Sequence, residues 1–454
     1  MKRMRSVWGR VALLSVYFFL FSLSSLFAEE PVELPPITTA AKHITIGGQG
    51  RIRYQSFPAP NVNETDFFTN YRFRLNVDVT VVDGISFFLQ PQKVGVFGNG
   101  ETGAAPDVSL SAVQVDPATG GGTATGDLTF HQAYLDFKQI GGAPVNLRLG
   151  RFEYAIGGHR LIGNFDWSQR ARSFDGGQLS FAIPSAGTLS LFAFRLTGEV
   201  ESGPLPTGDR NADTDLLGIY FSTPLVPMSQ TELTFLNDRK LPGLSDAVRY
   251  TAGVKIERSP LLPPLAFVSP VTGPLWRGEY YKQWGDRTAA QSIDSFMYAL
   301  RLGYRFDLPL KPMLLAGWEV LSGDDSLTTG DYKAFDTLYA TNHIYYGYMD
   351  YFLNMPADTQ GHGLHDGFIR LHLTPLEWTG AAVDVHRFSL DKGMTGEKKL
   401  GTEVDLTLFA QLNSFTSLLI GYSKFFSDKG MELLGRITPG EDPVWGYAMV
   451  NVIF

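Results

Sequence analysis

The stretch from Tyr71 to Thr80, YRFRLNVDVT, alternates strictly between apolar and polar side chains. One face carries tyrosine, phenylalanine, leucine and two valines, and the other carries two arginines, asparagine, aspartate and threonine. Alternation with a period of two predicts a β-strand with one apolar and one polar face. In a soluble sandwich the apolar faces would form a core, whereas in an outer-membrane barrel they face lipid and the polar faces line a wet lumen. The rest of the chain decides between these two architectures.

The same alternation recurs along the chain, with almost no helical periodicity between the repeats. It predicts eighteen strands, at approximately 43–57, 68–83, 85–98, 128–140, 145–157, 173–185, 187–198, 214–224, 229–239, 247–259, 274–288, 294–307, 313–325, 366–377, 378–391, 401–413, 416–428 and 444–454. An even number suits a bacterial single-chain barrel, and eighteen strands make one of porin size. We therefore predict an all-β fold, a single transmembrane antiparallel β-barrel that occupies residues 43–454.

The connections between the predicted strands alternate in length. Short turns such as Asp83-Gly84 and Asn413-Ser414-Phe415 separate longer segments, which are 99–127, 158–172, 199–213, 326–365 and 429–443. Barrels of this kind have short periplasmic turns and long extracellular loops. The Pro-rich segment Ser259–Gly273 is the exception, because it is long but falls on the short side.

The N-terminal segment has the pattern of a secretory signal. Lys2, Arg3, Arg5 and Arg10 precede or flank a short apolar run that ends at Phe21, which is too short to span a bilayer. We predict a signal peptide over residues 1–28, with cleavage after Ala28. The Pro- and Glu-rich residues 29–42 then form a periplasmic lead-in.

The C-terminal strand is amphipathic and ends on an aromatic residue. Val444, Ala448, Val450, Val452 and Phe454 share one face. Such a strand looks like the signal by which the bacterial barrel-insertion machinery recognises its substrates. Together with the predicted signal peptide, it indicates an integral protein of the bacterial outer membrane that contacts outer-membrane lipid.

Composition excludes several classes of protein. The chain has no cysteine, so it has neither disulfides nor thiol chemistry. No later segment contains eighteen consecutive apolar residues, which argues against a helical membrane bundle. The net charge is −8 and becomes more negative without the predicted signal, so binding to nucleic acid is not expected. No cofactor motif stands out, and we expect none.

The polar face of the predicted strands carries more bases than acids. The basic candidates for the lumen are Arg51, Arg53, Arg72, Arg74, Arg148, Arg195, Arg249, Lys255, Arg301, Arg305 and Arg370. The acidic candidates are Asp78, Asp136, Glu257, Asp384, Glu403 and Asp405. Rings of arginine or lysine are the usual device of anion-selective pores. The alternative is that these arginines pair with the acids and stiffen the wall.

The segment Gly150–Phe181, GRFEYAIGGHRLIGNFDWSQRARSFDGGQLSF, resembles the bacterial alginate-export family of outer-membrane barrels. The matching residues are Gly150, Arg151, Glu153, Gly157, Arg160, Leu161, Gly163, Asp166, Trp167, Arg172, Phe174 and Asp175. A second match lies in the long segment 326–365, at Phe335, Asp336, Leu338, Tyr339, His343, Tyr346, Gly347 and Asp350, and the strand Phe130–Phe137 fits as well. The matches touch about a third of the chain.

This resemblance implies an eighteen-stranded channel with an arginine-rich path for a polyuronate. By the same resemblance Arg151, Arg160, Arg172 and Asp175 belong to the conduit. The alternative for Arg160 and Asp175 is that they pair with each other and fold the loop inward. One departure bears on gating, because the family's exporters close the periplasmic mouth with a long turn before the penultimate strand. Here that turn is the short segment 413–415.

The leading interpretation is a passive channel for anionic solutes, with an alginate-type polyuronate as first candidate and periplasmic export proteins as expected partners. The alternatives are a general or small-anion-selective porin, a barrel plugged by its loops, and a barrel enzyme built on His343, His362, His365 or Asp366. We expect no enzymatic activity, because no nucleophile motif accompanies these residues. A metal at His362 and His365, or calcium at Asp324-Asp325 or Asp213 and Asp215, is weighed but not expected. A monomer is the expected state.

Overall fold

The computed structural model describes residues 42–58, 65–97, 128–196, 214–241, 244–258, 271–326 and 330–454. Residues 41–454 form one compact unit. The predicted signal peptide and residues 29–41 of the predicted lead-in lie outside the described residues, and both remain predictions. Most of the Pro-rich segment 259–273 also lies outside them.

The described chain forms eighteen strands, one for each predicted strand. They are β1 His43–Pro58, β2 Thr65–Val82, β3 Ile85–Val96, β4 Thr129–Phe137, β5 Val145–Phe152, β6 Phe174–Ile183, β7 Gly187–Leu196, β8 Thr214–Thr223, β9 Gln230–Leu241, β10 Leu244–Arg258, β11 Gly273–Thr288, β12 Gln291–Arg305, β13 Met313–Leu321, β14 Leu364–Leu373, β15 Thr379–Met394, β16 Glu397–Gln411, β17 Thr416–Ser427 and β18 Val444–Ile453.

These strands make one closed antiparallel barrel, as the alternation predicts. Each strand pairs with its neighbours in the sequence, and β1 pairs with both β2 and β18. At the closing seam Arg53 lies opposite Met449 of β18 and opposite Asn70 of β2. Closure leaves no free sheet edge around the wall, which is what a strand structure in lipid requires.

Burial shows which face of the strands points inward. In β2 the side chains of Arg72 and Arg74 are buried, whereas Phe73 and Leu75 are 47% and 45% exposed. In β1 Arg51 and Arg53 are buried, whereas Ile52 is exposed. This inverts the arrangement of a soluble sandwich, because the apolar residues form the outer surface and the charged ones lie within the barrel.

The lengths of the connections follow the predicted alternation in part. At one end of the barrel the turns are short, at 83–84, 184–186 and 412–415 among others. At the other end the described connections 153–173, 322–363 and 428–443 are long. Among the connections whose residues are all described, two at this second end are nevertheless tight, because β11 and β12 are joined through 289–290 and β15 and β16 through 395–396.

Two of the long connections fold into the barrel instead of projecting from it. We call residues 153–173 the first inner loop and residues 330–363 the second inner loop. Their apolar side chains, such as Ile162 and Phe352, are buried and form one hydrophobic core with inward-facing wall residues such as Phe194 and Leu236. Within the described residues, no helix is long and apolar enough to cross a membrane.

Candidate functional site

Four arginines from β1 and β2 project side by side into the barrel. Arg51 lies directly opposite Arg72 in the sheet register, and Arg53 and Arg74 lie one inward position away from them on their strands. All four side chains are buried beneath the first inner loop. We call Arg51, Arg53, Arg72 and Arg74 the arginine quartet.

Asp166 of the first inner loop inserts into the arginine quartet. One of its carboxylate oxygens lies 2.7 Å from Arg51, and the other lies 2.8 Å from Arg72 and 3.4 Å from Arg74. Arg74 also reaches Glu153 at 3.1 Å, at the start of the same loop. The backbone carbonyl of Trp167 accepts a hydrogen bond from Arg53 at 3.0 Å. The quartet therefore holds the loop against the wall.

The quartet carries more positive charge than its carboxylate partners neutralise. Arg51, Arg72 and Arg74 contact the carboxylates of Asp166 and Glu153, and Arg53 contacts the carbonyl of Trp167 instead. Within the described part of the chain, four of their nitrogens have no hydrogen-bond partner, namely Nε of Arg51, Arg53 and Arg72 and one Nη of Arg74. Buried donors without acceptors are costly, and these nitrogens leave an excess of donors in this part of the interior.

The carboxyl group of Asp166 is held in its charged form. Enclosure by the barrel disfavours this form, but attraction by Arg51, Arg72 and Arg74 outweighs that effect and keeps the pKa of Asp166 well below its usual value. Because this pKa is lower in the folded than in the unfolded chain, the ion pairs stabilise the docked loop at any pH above about 4 and are lost only at lower pH.

We therefore expect the first inner loop to stay docked from pH 8 down to about pH 4. The measurement is hydrogen–deuterium exchange of residues 153–173, corrected for the intrinsic pH dependence of exchange. Asp166→Asn is the control and should lose protection to a similar extent at every pH. A loss of protection in the wild-type loop that begins near pH 6 would contradict this assignment.

The structure places most of the predicted lumen bases on the inner face of the wall. Arg249, Lys255, Arg301, Arg305 and Arg370 are buried there, and Arg148 is partly buried. Several have acidic partners in the wall: Arg148 pairs with Asp136, Arg301 with Glu319, and Arg370 with Asp384. These three arginines therefore also brace neighbouring strands.

Arg151, Asp175 and Arg195 do not line the lumen, and their assignment to the conduit is corrected. Arg148 and Arg151 are three positions apart in one strand, so they point to opposite faces. Arg151 shares its face with the exposed Leu149. Asp175 of β6 lies opposite Arg151 in register, and Arg195 of β7 lies opposite Asp175. The inward positions beside them are filled instead by apolar residues such as Phe194, which pack on the inner loops.

The predicted excess of positive charge over the whole lumen is also corrected. The assignment of side chains to the polar strand face from the sequence omitted five acids that lie on the inner face. Each of them is buried: Glu232, Asp238, Glu279, Glu319 and Asp366. The same assignment omitted one buried base, Arg277. With these included, acids balance bases on the described wall, and the unbalanced positive charge is local to the arginine quartet.

Arg160 anchors the first inner loop on the side of the barrel away from the quartet. Its guanidinium lies 3.1 Å from Glu279 of β11 and 2.9 Å from Glu319 of β13, and it is fully buried. The guanidinium carbon also sits 3.5 Å from the ring centre of Tyr345 in the second inner loop. The alternative pairing of Arg160 with Asp175 is therefore wrong, although the loop does fold inward.

Arg172 joins the two inner loops to each other. It donates hydrogen bonds to the carbonyl oxygens of Gly163, Tyr339 and Ala340. Backbone hydrogen bonds run in both directions between the loops, from Gly163 to Tyr339 and from Tyr339 to Leu161, each at 2.8 Å. Arg172 thus fixes the shape of the lumen without facing open solvent.

The paired motif residues Trp167 and His343 connect the inner loops to the barrel seam. Their rings stack at 4.0 Å, and the guanidinium of Arg53 lies 4.3 Å from the centre of the Trp167 ring. His343 is bound to Asp350 at 2.6 Å. Trp167 also touches Trp445 and Tyr447 of β18 edge-on. These contacts account for Trp167, His343 and Asp350 of the two sequence motifs.

Gly347 allows the second inner loop to lie flat on the wall. Its backbone has φ of +79°, and a Cβ atom there would come within 2.5 Å of Glu403 in β16. Glu403 accepts a hydrogen bond at 2.8 Å from the backbone N–H of Met349. Any larger side chain at position 347 would therefore meet both backbone strain and a direct clash.

Gly347→Val is expected to open this part of the second inner loop, with roughly 10- to 100-fold faster amide exchange at residues 345–350. The positive φ alone costs on the order of 1–3 kcal/mol, and the added Cβ also displaces the Glu403 carboxylate that accepts from Met349. Gly330→Val is the matched control, because Gly330 has a similar φ of +76° but nothing within 4 Å of an added Cβ. Equal effects of the two substitutions would show that the contact with Glu403 does not matter.

The residues of the enzyme and metal alternatives have other partners. His365 contacts Asp391 at 3.2 Å, and Asp366 pairs with His386 at 2.9 Å. Asp324 accepts hydrogen bonds from the backbone N–H groups of Ser326 and Lys333. Among the described residues, no three His, Cys, Asp or Glu side chains are placed to hold a metal ion. Asp213 lies outside them.

Comparison with known proteins agrees with the fold and with the motifs. The family model described as Alginate export matches residues 42–429. This range includes the arginine quartet, both inner loops and seventeen of the eighteen strands. No curated protein sequence shows a significant match to this chain.

Solved porin structures share the architecture at low sequence identity. OccAB4 of Acinetobacter baumannii aligns with a TM-score of 0.62 and 12% identity over 92% of this chain and 100% of its own. OccK5 (OpdH) of Pseudomonas aeruginosa gives 0.58 and 11% over 92% and 99%. A BenF-like porin from Pseudomonas fluorescens Pf-5 gives 0.58 and 11% over 91% and 99%. At this identity the likeness concerns the fold alone.

Proposed function

Because this chain belongs to the alginate export family and forms an outer-membrane β-barrel, we propose that it is a passive channel that conducts anionic solutes past the arginine quartet. The observation that carries the proposal is the local charge imbalance at that point of the lumen. Four arginines lie together there, three of them contact two carboxylates, and four of their nitrogens have no acceptor among the described residues. Outside the quartet, the inner-wall residues named above are seven bases and eleven acids, so the excess of positive charge is confined to the quartet.

A polyuronate is the cargo we propose first. Such a polymer carries one carboxylate on each sugar, and a guanidinium can hold a carboxylate with two parallel hydrogen bonds. Asp166 already places a carboxylate in the quartet, where it bridges two guanidinium groups with one oxygen on Arg51 and the other on Arg72. A carboxylate of the cargo would make the same contacts and would leave as easily as it arrives, which conduction requires.

Small organic anions are the second candidate, and the inner loops favour them. The first inner loop covers the arginine quartet, and both loops pack into one hydrophobic core with the wall. A polymer would have to pass between this packed interior and the quartet, whereas a small carboxylate needs less room. The two candidates share the same arginines and differ in the width that the loops leave open.

Single-channel conductance of the refolded protein in a planar bilayer tests the proposal. Under a salt gradient the reversal potential should show anion preference, and oligouronates on one side should block the current. Block by monocarboxylates but not by oligouronates would support the small-anion candidate. A cation preference would overturn both candidates, and an absence of conductance would point to a barrel that its inner loops close.

A further inference from the structure

A row of alternating charges crosses five neighbouring strands on the outer surface of the barrel. It consists of residues at successive cross-strand positions of β5–β9, which are Arg151, Asp175, Arg195, Asp215 and Arg239. We call it the outer charge row. Arg151 donates two hydrogen bonds to Asp175, both at 2.6 Å, and Arg195 donates two to Asp215 at 3.1 Å.

The outer charge row faces away from the lumen. Leu149 and Leu217 lie two positions from Arg151 and Asp215 on the same strands, and both are more than 40% exposed on the apolar outer surface. The side chains of Arg151 and Arg195 are themselves 46% and 56% exposed. Side chains two residues apart in a strand share a face, so the row continues the surface that contacts lipid.

The row also lies at one level of the barrel. Each of its residues is within three positions of the end of its strand, and these strand ends lie on the side of the barrel from which the first inner loop and the segment 197–213 depart. Long connections of this kind are extracellular in outer-membrane barrels. Because charged side chains on the lipid face are unfavourable at the bilayer midplane and tolerated at its interfaces, the row belongs at the head groups of the outer leaflet.

The charges of the row leave it with a preference for anions. It begins and ends on arginine, so three guanidinium groups share two carboxylates. The carboxylate of Asp175 accepts hydrogen bonds from Nε and one Nη of Arg151. The second Nη of Arg151 therefore lies on the exposed side of the pair. Guanidinium groups match phosphate in both charge and planar geometry. We propose that the outer charge row binds the phosphorylated head groups of outer-leaflet lipids.

The position of the row favours a lipid over a soluble phosphate. On the same strands, directly toward the middle of the membrane, the outward residues Ile219 and Phe235 are exposed and apolar. A ligand that lies on this surface therefore contacts arginines at one end and apolar side chains toward the middle of the membrane. A phospholipid-like molecule, with phosphate and acyl chains, satisfies both parts at once. The binding would be independent of the cargo of the channel.

Native mass spectrometry of the full-length protein in detergent, titrated with bis-phosphorylated lipid A, tests this proposal. We expect saturable binding that weakens at least about fivefold in the triple variant Arg151→Gln, Arg195→Gln, Arg239→Gln. The triple arginine-to-lysine variant keeps the charge and should bind with intermediate affinity. Arg387→Gln is the matched control, because Arg387 is likewise outward, half-exposed and paired with an aspartate, on β15. It should bind as the wild type does.

Several results would overturn the proposal. These are unchanged binding in the triple variant, an equal loss in Arg387→Gln, equal binding of a lipid with the same acyl chains but no phosphate, and full competition by inorganic phosphate. Retention of the heat-modifiable folded band on gels would show that each variant still forms the barrel. If the triple variant does not fold, the single variant Arg239→Gln at the open end of the row takes its place, with the same expected direction.

Discussion

Replacing Arg51 and Arg74 together by glutamine is expected to abolish the anion preference of the channel. The double variant lowers the charge of the arginine quartet to that of its two carboxylate partners. A charge about 7 Å from a permeating ion contributes about 0.6 kcal/mol even at the dielectric constant of water, which is about threefold in permeability for each arginine. The reversal potential under a salt gradient should therefore move toward cations by roughly a tenfold change in permeability ratio.

Arg195→Gln is the matched control for this experiment. It removes one arginine from the same barrel, but Arg195 lies on the outer face and should leave the reversal potential unchanged. An equal shift in Arg195→Gln and in the double variant would mean that overall charge, and not the quartet, sets the preference. An unchanged reversal potential in the double variant would remove the quartet from the path of the ions.

Arg160→Met is expected to release the first inner loop and to raise the open-channel conductance. The substitution keeps an unbranched apolar stem but removes the buried cation between Glu279 and Glu319. Removing one charged partner from a buried ion network typically destabilises the folded arrangement by about 3–5 kcal/mol, because the remaining charges stay buried without compensation. The equilibrium between docked and released loop should therefore shift by about two to almost four orders of magnitude. Single-channel recordings and protease cleavage within residues 153–173 would both report this shift.

Arg148→Met serves as the control for Arg160→Met. Arg148 also faces inward and pairs with an acid, Asp136, but this pair is within the wall between β4 and β5. We expect its substitution to leave the inner loops docked. A second variant, Glu319→Gln, neutralises a carboxylate partner of Arg160. Like Arg160→Met, it should release the first inner loop and raise the conductance. Wild-type conductance and protease resistance in both anchor variants would show that Arg160 does not hold the loop.

The sequence predicts the wall of this barrel well, because the wall follows a local rule. In strands such as β2 each residue alternates between lipid and lumen, so the identity of the side chain reports its direction. The eighteen strands, the closure and the inward positions of Arg72 and Arg74 all follow from this rule. The family motif adds the inward course of the loop that carries Asp166 and Trp167.

The rule fails where the inner loops touch the wall. Phe192 and Phe194 point inward because they pack on apolar loop residues, so the neighbouring Arg195 in β7 turns toward lipid. The partners of Arg160 could not be predicted either. Glu279 and Glu319 lie 119 and 159 positions away in the sequence, and only the three-dimensional arrangement of the strands brings them to the loop. Pairings over such separations leave no local signal in one sequence.

The contacts of Trp167 set an order for the assembly of the protein. This side chain meets Arg53 of the first strand and Trp445 and Tyr447 of the last, so its complete environment exists only after the two ends of the sheet have joined. Ordering a loop inside the barrel costs conformational entropy, which these contacts must offset. The interior therefore reaches its final packing after closure of the wall. In a nascent sheet that is still open, the contacts between the inner loop and the two end strands are incomplete.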